Sequence, residues 1–433
     1  MDFMKLHVAG ANMHRYHDVA TYSDEEVTRQ GREIRLDKIK PTKRLIDHIP
    51  SLRTPPPTLS IPLSADQNYK NVPRVTGFES MMKVAGGLSA PKIITSMLNN
   101  GHRFKQLFKG GNDDLRQDAI MEQVFAEVSK LLSNHTATRQ RKLRIRTYNV
   151  LPLSNHSGVL EFAQNTLAMQ DVCVPLHQKY HPKDLKSSAC RTKISDVARD
   201  TPENRIKVYK DVCKQFQPAM RYFFFENYTD PDEWFQRRLA YTRSTAAISI
   251  LGHVVGLGDR HLHNILLDYV TGEVVHIDLG VCFEGGRVLP IPELVPFRLT
   301  RDLVDGMGYT RTEGVFRRCC EFTLETLREE LESIMTLLNV LRYDPLYSWT
   351  VSAAKAKRMQ EGDEVDERVM NEALELSSRK KEDDMNEAGR ALAAVEKKLS
   401  KTLSKEATVS ELIAQATDER NLALLFCGWS AWV

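Results

Sequence analysis

Long apolar runs, regular cysteine spacing and an excess of charge are all missing from this 433-residue sequence. It has no run of about 18 apolar residues and no basic segment leading into an apolar core at its start, so neither a membrane span nor a secretion signal is indicated. The seven cysteines are irregularly spaced, which argues against a disulfide framework and favours a reducing compartment. With 60 Lys and Arg against 57 Asp and Glu, the net charge of +3 predicts no direct DNA binding and no general attraction to anionic lipid.

The length exceeds what a single hydrophobic core usually supports, so we expect at least two domains. Prolines recur from Lys40 to Pro73, which excludes long helices there and indicates a domain boundary. The polar residues 1–40 that precede it are predicted to be helical. Residues 353–404 are highly charged and predict a solvated helix, whereas residues 313–341 repeat apolar side chains at helical spacing and are predicted to join a core.

Three polar residues, Asp259, Asn264 and Asp278, follow one another at the spacing of a kinase-type phosphoryl-transfer site. Such a site needs one carboxylate to orient the attacking hydroxyl, and an Asn and a second Asp to hold Mg²⁺ through hard oxygen atoms. Short apolar runs at 265–267 and 274–277 predict two strands joined by a turn, which brings both metal ligands to neighbouring loop ends. Taken singly, the three residues also suit a helix cap, a turn and a strand end, but their combination favours catalysis.

A pair of glycines precedes these residues in a segment that is able to cover a nucleotide. Gly86 and Gly87, followed by Leu88 and Pro91, lie between apolar runs, and glycine lets main-chain N–H groups approach phosphate oxygens. An ordinary hairpin turn explains such a pair more often, so its weight depends on the residues that follow.

An alternating run ends at Lys109 and predicts a strand whose last side chain reaches the α- and β-phosphates of a nucleotide. Asp113 stands four residues later, where its carboxylate is expected to hold the Lys109 ammonium. The acidic residues that follow Gly110 also suit the start of a helix, which is the simpler explanation. A helical apolar repeat continues through residues 120–132.

Residues 143–151 alternate between apolar and polar types and predict a strand, and residues 157–162 predict another. In a two-lobed kinase, the segment that joins the lobes offers main-chain hydrogen bonds to adenine. Glu161, Phe162 and Ala163 are the candidates for that role.

The motifs Lys-Gly…Asp-Asp-Leu-Arg-Gln-Asp (109–118), Gly-Leu-Gly-Asp-Arg-His…Asn (256–264) and His-Ile-Asp-Leu-Gly (276–280) resemble those of the phosphatidylinositol-kinase-related protein kinases. Within that family the chain is similar to the ATM-type group, which includes the fungal telomere-maintenance kinases. The resemblance covers about residue 70 to the end, except for a segment of low similarity at 353–405. The last residues, Leu-Phe-Cys-Gly-Trp-Ser-Ala-Trp-Val, are similar to the short C-terminal domain of the family.

The resemblance implies an α+β, bilobal protein-kinase-like fold with a β-rich N-lobe and a helical C-lobe. It implies the end of a helical FAT region at 1–40, an N-lobe at 41–161, a C-lobe at 162–352, a helical regulatory insert at 353–404 and a FATC domain at 405–433. By the same match, Asp259 orients the substrate hydroxyl and His261 stabilises charge on the transferred phosphoryl group. Asn264 and Asp278 bind Mg²⁺, Lys109 contacts the phosphates, and Asp118 and Tyr148 line the nucleotide pocket.

The expected activity is ATP-dependent phosphorylation of proteins at Ser/Thr-Gln sites, with Mg²⁺ or Mn²⁺, in DNA-damage and telomere signalling in the nucleus. The resemblance further implies a homodimer formed through missing N-terminal regions and a DNA-end-sensing nuclease complex as activator. The many aromatic residues of the last 29 positions are predicted to pack on the C-lobe beside the activation loop.

Lipid kinases share much of this pattern and are the main alternative. An anionic inositol headgroup calls for several basic residues in the activation loop, but the segment 281–296 has only Arg287 against Glu284 and Glu293, which favours a protein substrate. A catalytically inactive scaffold of the same fold is a second alternative, and the presence of Asp259, Asn264 and Asp278 argues against it. Two His residues at 261 and 263 without a further ligand are poorly spaced for zinc.

Overall fold

The structure is a computed structural model that describes residues 33–35, 54–63, 65–85, 91–110, 115–154, 157–342, 360 and 381–433. The chain divides into two compact units, residues 1–123 with 147–164 and residues 124–146 with 165–433. The first is rich in strands and the second is mostly helical, so the α+β class predicted from the sequence is confirmed. The domain boundaries drawn from the sequence remain a prediction.

The first unit is built on a seven-stranded antiparallel sheet, in the strand order β1-β3-β4-β5-β7-β6, with β2 also paired to β4. Two of its strands, β4 and β5, run side by side over six residue pairs, from Lys92 opposite Phe108 to Met97 opposite Arg103. The strands are β1 (Glu33–Arg35), β2 (Val75–Phe78), β3 (Met81–Val84), β4 (Lys92–Leu98), β5 (Arg103–Gly110), β6 (Val150–Ser154) and β7 (Ser157–Glu161).

Alternation along β5 produces the buried face of this sheet. Gln106 and Phe108 are buried two residues apart, as the period of a strand requires. The side-chain amide of Gln106 donates to the Thr58 hydroxyl at 3.1 Å, so the amide keeps a hydrogen-bond partner although it is buried. Further buried apolar residues of the unit are Met82, Ile94, Leu115 and Val159.

Two sequence predictions for this region are wrong in detail. Glu33–Arg35 form a strand on the edge of β3, where the sequence predicted helix, because pairing with that edge supplies the main-chain hydrogen bonds. Residues 143–149 are not a strand, and burial alternates only from Leu143 to Ile145 before the next buried residue, Tyr148. The main chain of Ile145 bonds to the Ser129 hydroxyl and that of Tyr148 to the Glu122 carboxylate, so helix side chains replace a partner strand.

The second unit is mostly helical. Its elements are the helices α1 (Arg116–Asn134, which begins in the first unit), α2 (Thr136–Gln140), α3 (Met169–Tyr180), α4 (Ser187–Asp196), α5 (Pro202–Lys214), α6 (Arg221–Asn227), α7 (Pro231–Val255), α8 (Arg301–Gly306), α9 (Val315–Glu329), α10 (Leu331–Arg342), α11 (Lys381–Leu399), α12 (Lys405–Thr417) and α13 (Glu419–Ala423), the 3₁₀ turns η1 (Gly285–Val288) and η2 (Cys427–Trp429), and the strands β8 (Thr166–Ala168), β9 (Ile265–Asp268) and β10 (Val274–His276). The strands form a separate antiparallel sheet in the order β10-β9-β8.

Helix α7 is the central element of this unit. It begins at Pro231, directly after Asp230, whose carboxylate caps the Glu233 N–H at 2.8 Å, and from Tyr241 onward most of its residues are buried. Helix α9 packs against it and buries Cys319 and Cys320, two of the seven free cysteines.

The predicted strand, turn, strand pattern at 265–277 is confirmed as β9 and β10. Within the described ranges no helix is long and apolar enough to cross a membrane.

Gly256 ends α7 in the left-handed region, with φ of 62°, and an added Cβ atom there would collide with the main-chain nitrogen of Glu284. Gly101 has a φ of 81° but open space around it. Gly101→Ala should therefore cost only the conformational penalty of roughly 1 kcal/mol, whereas Gly256→Ala should cost several times more. Thermal unfolding of both variants measures this difference, and equal losses would show that the contact with Glu284 does not constrain the turn.

Candidate functional site

The loop of residues 256–264, here called the Asp259 loop, connects α7 to β9. The Gly258 N–H donates to the Val281 carbonyl at 2.9 Å, so the loop is paired with the start of the segment 281–296. Asp259 itself has a φ of 56°, in the left-handed region that few non-glycine residues adopt. A conformation of this kind costs free energy and persists only where surrounding contacts hold it.

Asn264 is one of those contacts. Its side-chain nitrogen donates to the Asp259 carbonyl oxygen at 2.9 Å and approaches the Asp259 carboxylate at 3.4 Å. Because the nitrogen faces Asp259, the carboxamide oxygen of Asn264 is the atom directed away from it. The structure thus brings together two of the three residues of the predicted constellation.

Asp278 is brought to the same place by β9 and β10. The Ile277 N–H donates to the Asn264 carbonyl at 3.0 Å, which sets the residue before Asp278 beside Asn264. The buried Arg260 guanidinium donates to the carbonyls of Gly258 at 2.7 Å, of Ile277 at 2.8 Å and of Asp278. A carboxamide oxygen and a carboxylate on neighbouring loop ends fit a Mg²⁺ ion that takes its remaining ligands from phosphates and water.

His261 lies beside Asp259, with 3.9 Å between its Nε2 and the Asp259 carboxylate. Its Nδ1 accepts the His263 N–H at 3.2 Å, so a neutral ring carries its proton on Nε2, the nitrogen that faces Asp259. Burial and the nearby Arg260 charge lower the pKa of His261 to about 4. The ring is therefore uncharged at neutral pH and is able to donate a hydrogen bond but not to act as a cation.

Glu293 is a second carboxylate at this loop, and sequence reasoning counted its charge but assigned it no role. Its two oxygens accept the Asp259 N–H at 2.9 and 3.0 Å, and one of them also accepts the Trp429 indole N–H at 3.0 Å. Burial, followed by the charge of Asp259, raises the pKa of Glu293 to about 7. This side chain is the one charged group in the proline-rich run 289–296, which is the sequence signal that pointed to it.

The segment 425–433, here called the closing segment, packs against the same region. Arg298 is buried and donates to the carbonyls of Trp429 at 2.6 Å, Ser430 at 2.9 Å and Val433 at 3.1 Å, while its guanidinium stacks over the Trp429 ring at 4.3 Å. It also donates to the Arg260 carbonyl at 3.2 Å. Trp429 of the closing segment also donates to Glu293, so the terminal aromatic residues pack beside the segment 281–296, as the sequence predicted.

A cavity of about 490 Å³ opens beside Asp259 and His261 within the second unit. Its other walls come from α3, from the start of α4, from Leu289 and Glu293, and from the closing segment. Gln360 also lines it: the Ile291 N–H donates to the Gln360 side-chain oxygen at 2.8 Å, and the Gln360 side-chain nitrogen donates to the Ile291 carbonyl at 2.9 Å. The main chain of Ile291 therefore binds a glutamine side chain that lines the same cavity as Asp259.

The predicted phosphate and nucleotide residues lie in the first unit. Lys109 is opposite Gly158 at the end of β5, and Asp118 is buried in the first turn of α1. Glu122, one helical turn beyond Asp118, accepts the Tyr148 N–H at 3.1 Å, and burial raises its pKa well above the usual range. Pro91 directly precedes β4, whereas Gly86, Gly87, Leu88 and Asp113 lie outside the described residues.

The three residues predicted to bind adenine, Glu161, Phe162 and Ala163, lie at the end of β7 and directly after it. Glu161 ends β7, and its carboxylate accepts the main-chain N–H of Asn149 at 3.1 Å and the Asn149 side-chain amide at 3.2 Å. The Phe162 N–H donates to the Lys105 carbonyl at 3.2 Å, so that donor is already used within the sheet. Ala163 follows directly, in the same unit.

Arg298→Met should weaken the docking of the closing segment, because methionine fills similar space but donates no hydrogen bond to the four carbonyls. Leaving several buried acceptors unsatisfied is expected to cost about 3 kcal/mol or more of the free energy of unfolding. Thermal unfolding and proteolysis of residues 405–433 would detect this loss. Arg103→Met, which removes the ion pair of the exposed Arg103 side chain with Glu79, serves as the matched control and should cost less than about 1 kcal/mol; similar losses in both variants would contradict the expectation.

Comparison with known proteins identifies the family of this chain. The sequence profile described as phosphatidylinositol 3- and 4-kinase matches residues 104–351, and the profile of the FATC domain matches residues 402–433. The serine/threonine-protein kinase tel1 of Emericella nidulans is 59% identical over 408 residues, which are 94% of this chain and 15% of that protein. The serine-protein kinase ATM of Sus scrofa is 43% identical over 394 residues, which are 87% of this chain and 13% of that protein.

Solved structures give the same result. The structure entitled "FAT and kinase domain of CtTel1" has a TM-score of 0.89 at 53% identity, over 97% of this chain and 28% of that one. The "Tel1 kinase butterfly symmetric dimer" has a TM-score of 0.77 at 40% identity, over 91% of this chain and 16% of that one. This chain spans about a seventh of the length of the curated relatives. It belongs to the phosphatidylinositol 3- and 4-kinase family, and a FATC domain forms its C-terminal part.

Proposed function

We propose that this chain is the catalytic region of an ATP-dependent serine/threonine protein kinase. The observation that carries the proposal is the arrangement around the Asp259 loop. The Asn264 side chain bonds to Asp259, and the pairing of β9 with β10 brings Asp278 to the same region, as a phosphoryl-transfer site requires. Relatives named as serine/threonine-protein kinases, at up to 59% identity among those compared, support it.

In this proposal Asp259 orients the hydroxyl of the substrate and accepts its proton. The Asn264 oxygen and the Asp278 carboxylate hold Mg²⁺, which offsets the negative charge of the phosphates. His261 donates a hydrogen bond from Nε2 to the transferred group, since its low pKa keeps the ring neutral. The nucleotide is bound by residues of the first unit: Lys109 contacts its phosphates, Asp113 holds the Lys109 ammonium, and Asp118 and Tyr148 line its pocket.

The segment 281–296 favours a protein substrate over an inositol lipid. Its single basic residue, Arg287, is paired with Glu284 at 2.5 Å, so even this cation is already engaged. A polyphosphorylated headgroup would meet Glu284 and Glu293 without further positive charge from the segment. A peptide with uncharged or mixed side chains suits it better.

Gln360 supports Ser/Thr-Gln as the target sequence. The main chain of Ile291 already binds one glutamine side chain through both of its amide groups, in the cavity that contains Asp259. A glutamine that follows the target Ser or Thr would find the same donor and acceptor. The presence of Asp259, Asn264 and Asp278 in the sequence argues against the alternative of an inactive scaffold.

We further propose that the whole protein acts in DNA double-strand-break and telomere signalling in the nucleus. The titles of relatives that describe Tel1 dimers support a homodimer, formed through regions that the relatives possess beyond the length of this chain. A DNA-end-sensing nuclease complex is the proposed activator. Direct DNA binding by this chain is not part of the proposal.

Phosphate transfer from labelled ATP in the presence of Mg²⁺ tests the activity directly, in the full-length protein. The substrates are a Ser-Gln peptide, the same peptide with Ala in place of Ser or of Gln, and phosphoinositide vesicles. We expect labelling of the Ser-Gln peptide alone, and a loss of roughly 10²–10⁴-fold or more in Asp259→Asn, which removes the base but keeps the size of the side chain. Lipid labelling would support the alternative, and Asp259→Asn with full activity would exclude the proposed role of that residue.

A further inference from the structure

Glu293 stands at a junction between the Asp259 loop and the closing segment. Its carboxylate accepts the Asp259 N–H with both oxygens and the Trp429 indole N–H with one of them, at 2.9 to 3.0 Å. A single side chain therefore joins the Asp259 loop to the closing segment, and its partner Trp429 lies 136 residues away from it in the sequence.

The space around this carboxylate is shaped for it. A Cβ atom added to Gly258 would lie 2.8 Å from its Oε2, and one added to Gly286 would collide with the same oxygen. The Glu293 N–H also donates to the Gly286 carbonyl at 3.0 Å, so the residue is fixed by its main chain as well as by its side chain. Two glycines thus line a slot that admits the carboxylate and leaves it little freedom to move.

We propose that Glu293 is a positioning residue for phosphoryl transfer, which holds Asp259 in its left-handed conformation and makes the closing segment a direct support of the Asp259 loop. The proposal rests on the assignment of Asp259 as the base. The main chain of Asp259 has the unfavourable φ of 56°, and the carboxylate opposite its N–H is a contact that favours this conformation. Trp429 in turn fixes the carboxylate by its indole N–H.

The charge of Glu293 matters to this function. An ionised carboxylate offers acceptors on both oxygens, whereas a protonated one carries a hydrogen on one oxygen and resembles a glutamine side chain. Burial, and then the charge of Asp259, raise the pKa of Glu293 to about 7, while hydrogen bonds from the Asp259 N–H and Trp429 and the Arg260 charge oppose that rise. Arg298 is the other charged group that interacts with it. Below this pH, protonation should weaken the grip on the Asp259 N–H.

The experiment compares the pH dependence of kcat for peptide phosphorylation, between about pH 5 and 8.5, in the full-length protein and its variants. The unchanged protein should lose kcat as pH falls through about 7. Glu293→Gln is isosteric and places an amide nitrogen 3.0 Å from the Asp259 nitrogen in place of an oxygen. It should give a flat profile at the low-pH rate of the unchanged protein, roughly 10²-fold below its maximum, with KM for ATP preserved.

Trp429→Phe is the second variant, because phenylalanine keeps a ring over Arg298 but has no N–H to donate. Removing a hydrogen bond to the carboxylate disfavours its ionised form, so the acid limb of the kcat profile should move to higher pH. Asp302→Asn is the matched control. Asp302 is another buried carboxyl that accepts main-chain N–H groups, from Ala219 at 2.8 Å and Met220 at 3.2 Å, and burial raises its pKa to about 6.

The outcomes separate a positioning role from a merely structural one. A change of pH profile in Glu293→Gln and Trp429→Phe, with the profile of Asp302→Asn unaltered, supports the proposal. An unaltered profile and kcat in a folded Glu293→Gln protein, while Asp259→Asn is inactive, would overturn it. If Asp259→Asn itself stays active, the assignment of the base fails, and the positioning role fails with it.

Discussion

The buried guanidinium of Arg298 is the interaction on which the helical unit depends. It lies out of contact with water, and burial lowers its pKa to about 10, yet at neutral pH it remains a cation. Main-chain oxygens of Trp429, Ser430 and Val433 accept its N–H groups, and so does the carbonyl of Arg260 in the Asp259 loop. Carbonyl dipoles disperse the charge without demanding a buried carboxylate, and each of them fixes a main-chain position rather than a side chain. The closing segment and the loop are therefore held by one group, and neither can shift without leaving that charge short of acceptors.

Arg260 is a second buried arginine whose guanidinium donates to main-chain carbonyls. Its guanidinium bonds the carbonyls of Gly258, Ile277 and Asp278, so it ties the loop to the end of β10 where Asp278 lies. The Arg298 guanidinium donates to the Arg260 carbonyl. The Glu293 carboxylate accepts the N–H of the preceding residue, Asp259. Successive main-chain groups of the loop are thus fixed by a cation and an anion. This arrangement sustains two aspartates, Asp259 and Asp278, at positive φ angles that would relax if the loop were free.

Local pattern was enough to predict part of this architecture. The short apolar runs around Thr271-Gly272 predicted β9 and β10, and with them the approach of Asn264 to Asp278, because a tight turn leaves little choice of partner. Residues 143–149 also alternate between apolar and polar types in the sequence, but they do not pair with a strand. Side chains of α1 bind their main chain instead: the Ser129 hydroxyl accepts the Ile145 N–H, and the Glu122 carboxylate accepts the Tyr148 N–H. Glu293 and Arg298 could not have been assigned from spacing, because both of them also contact Trp429, which is more than 130 residues away along the chain. A lone charge in an apolar run indicates that a partner exists, but it does not say which one.

The order Asp-Arg-His in the loop also has a physical explanation. Along residues 259–263 the side chains alternate in burial: Asp259 and His261 line the cavity, whereas Arg260 points into the interior. The arginine therefore serves the main chain and contributes no charge to the cavity surface, while its field, together with burial, keeps the His261 ring neutral. In the proposed function, the neutral His261 ring therefore contributes the direction of one N–H bond and no charge. Asn264 and Asp278 are the residues that would hold a metal ion, and such an ion would supply positive charge opposite the phosphates.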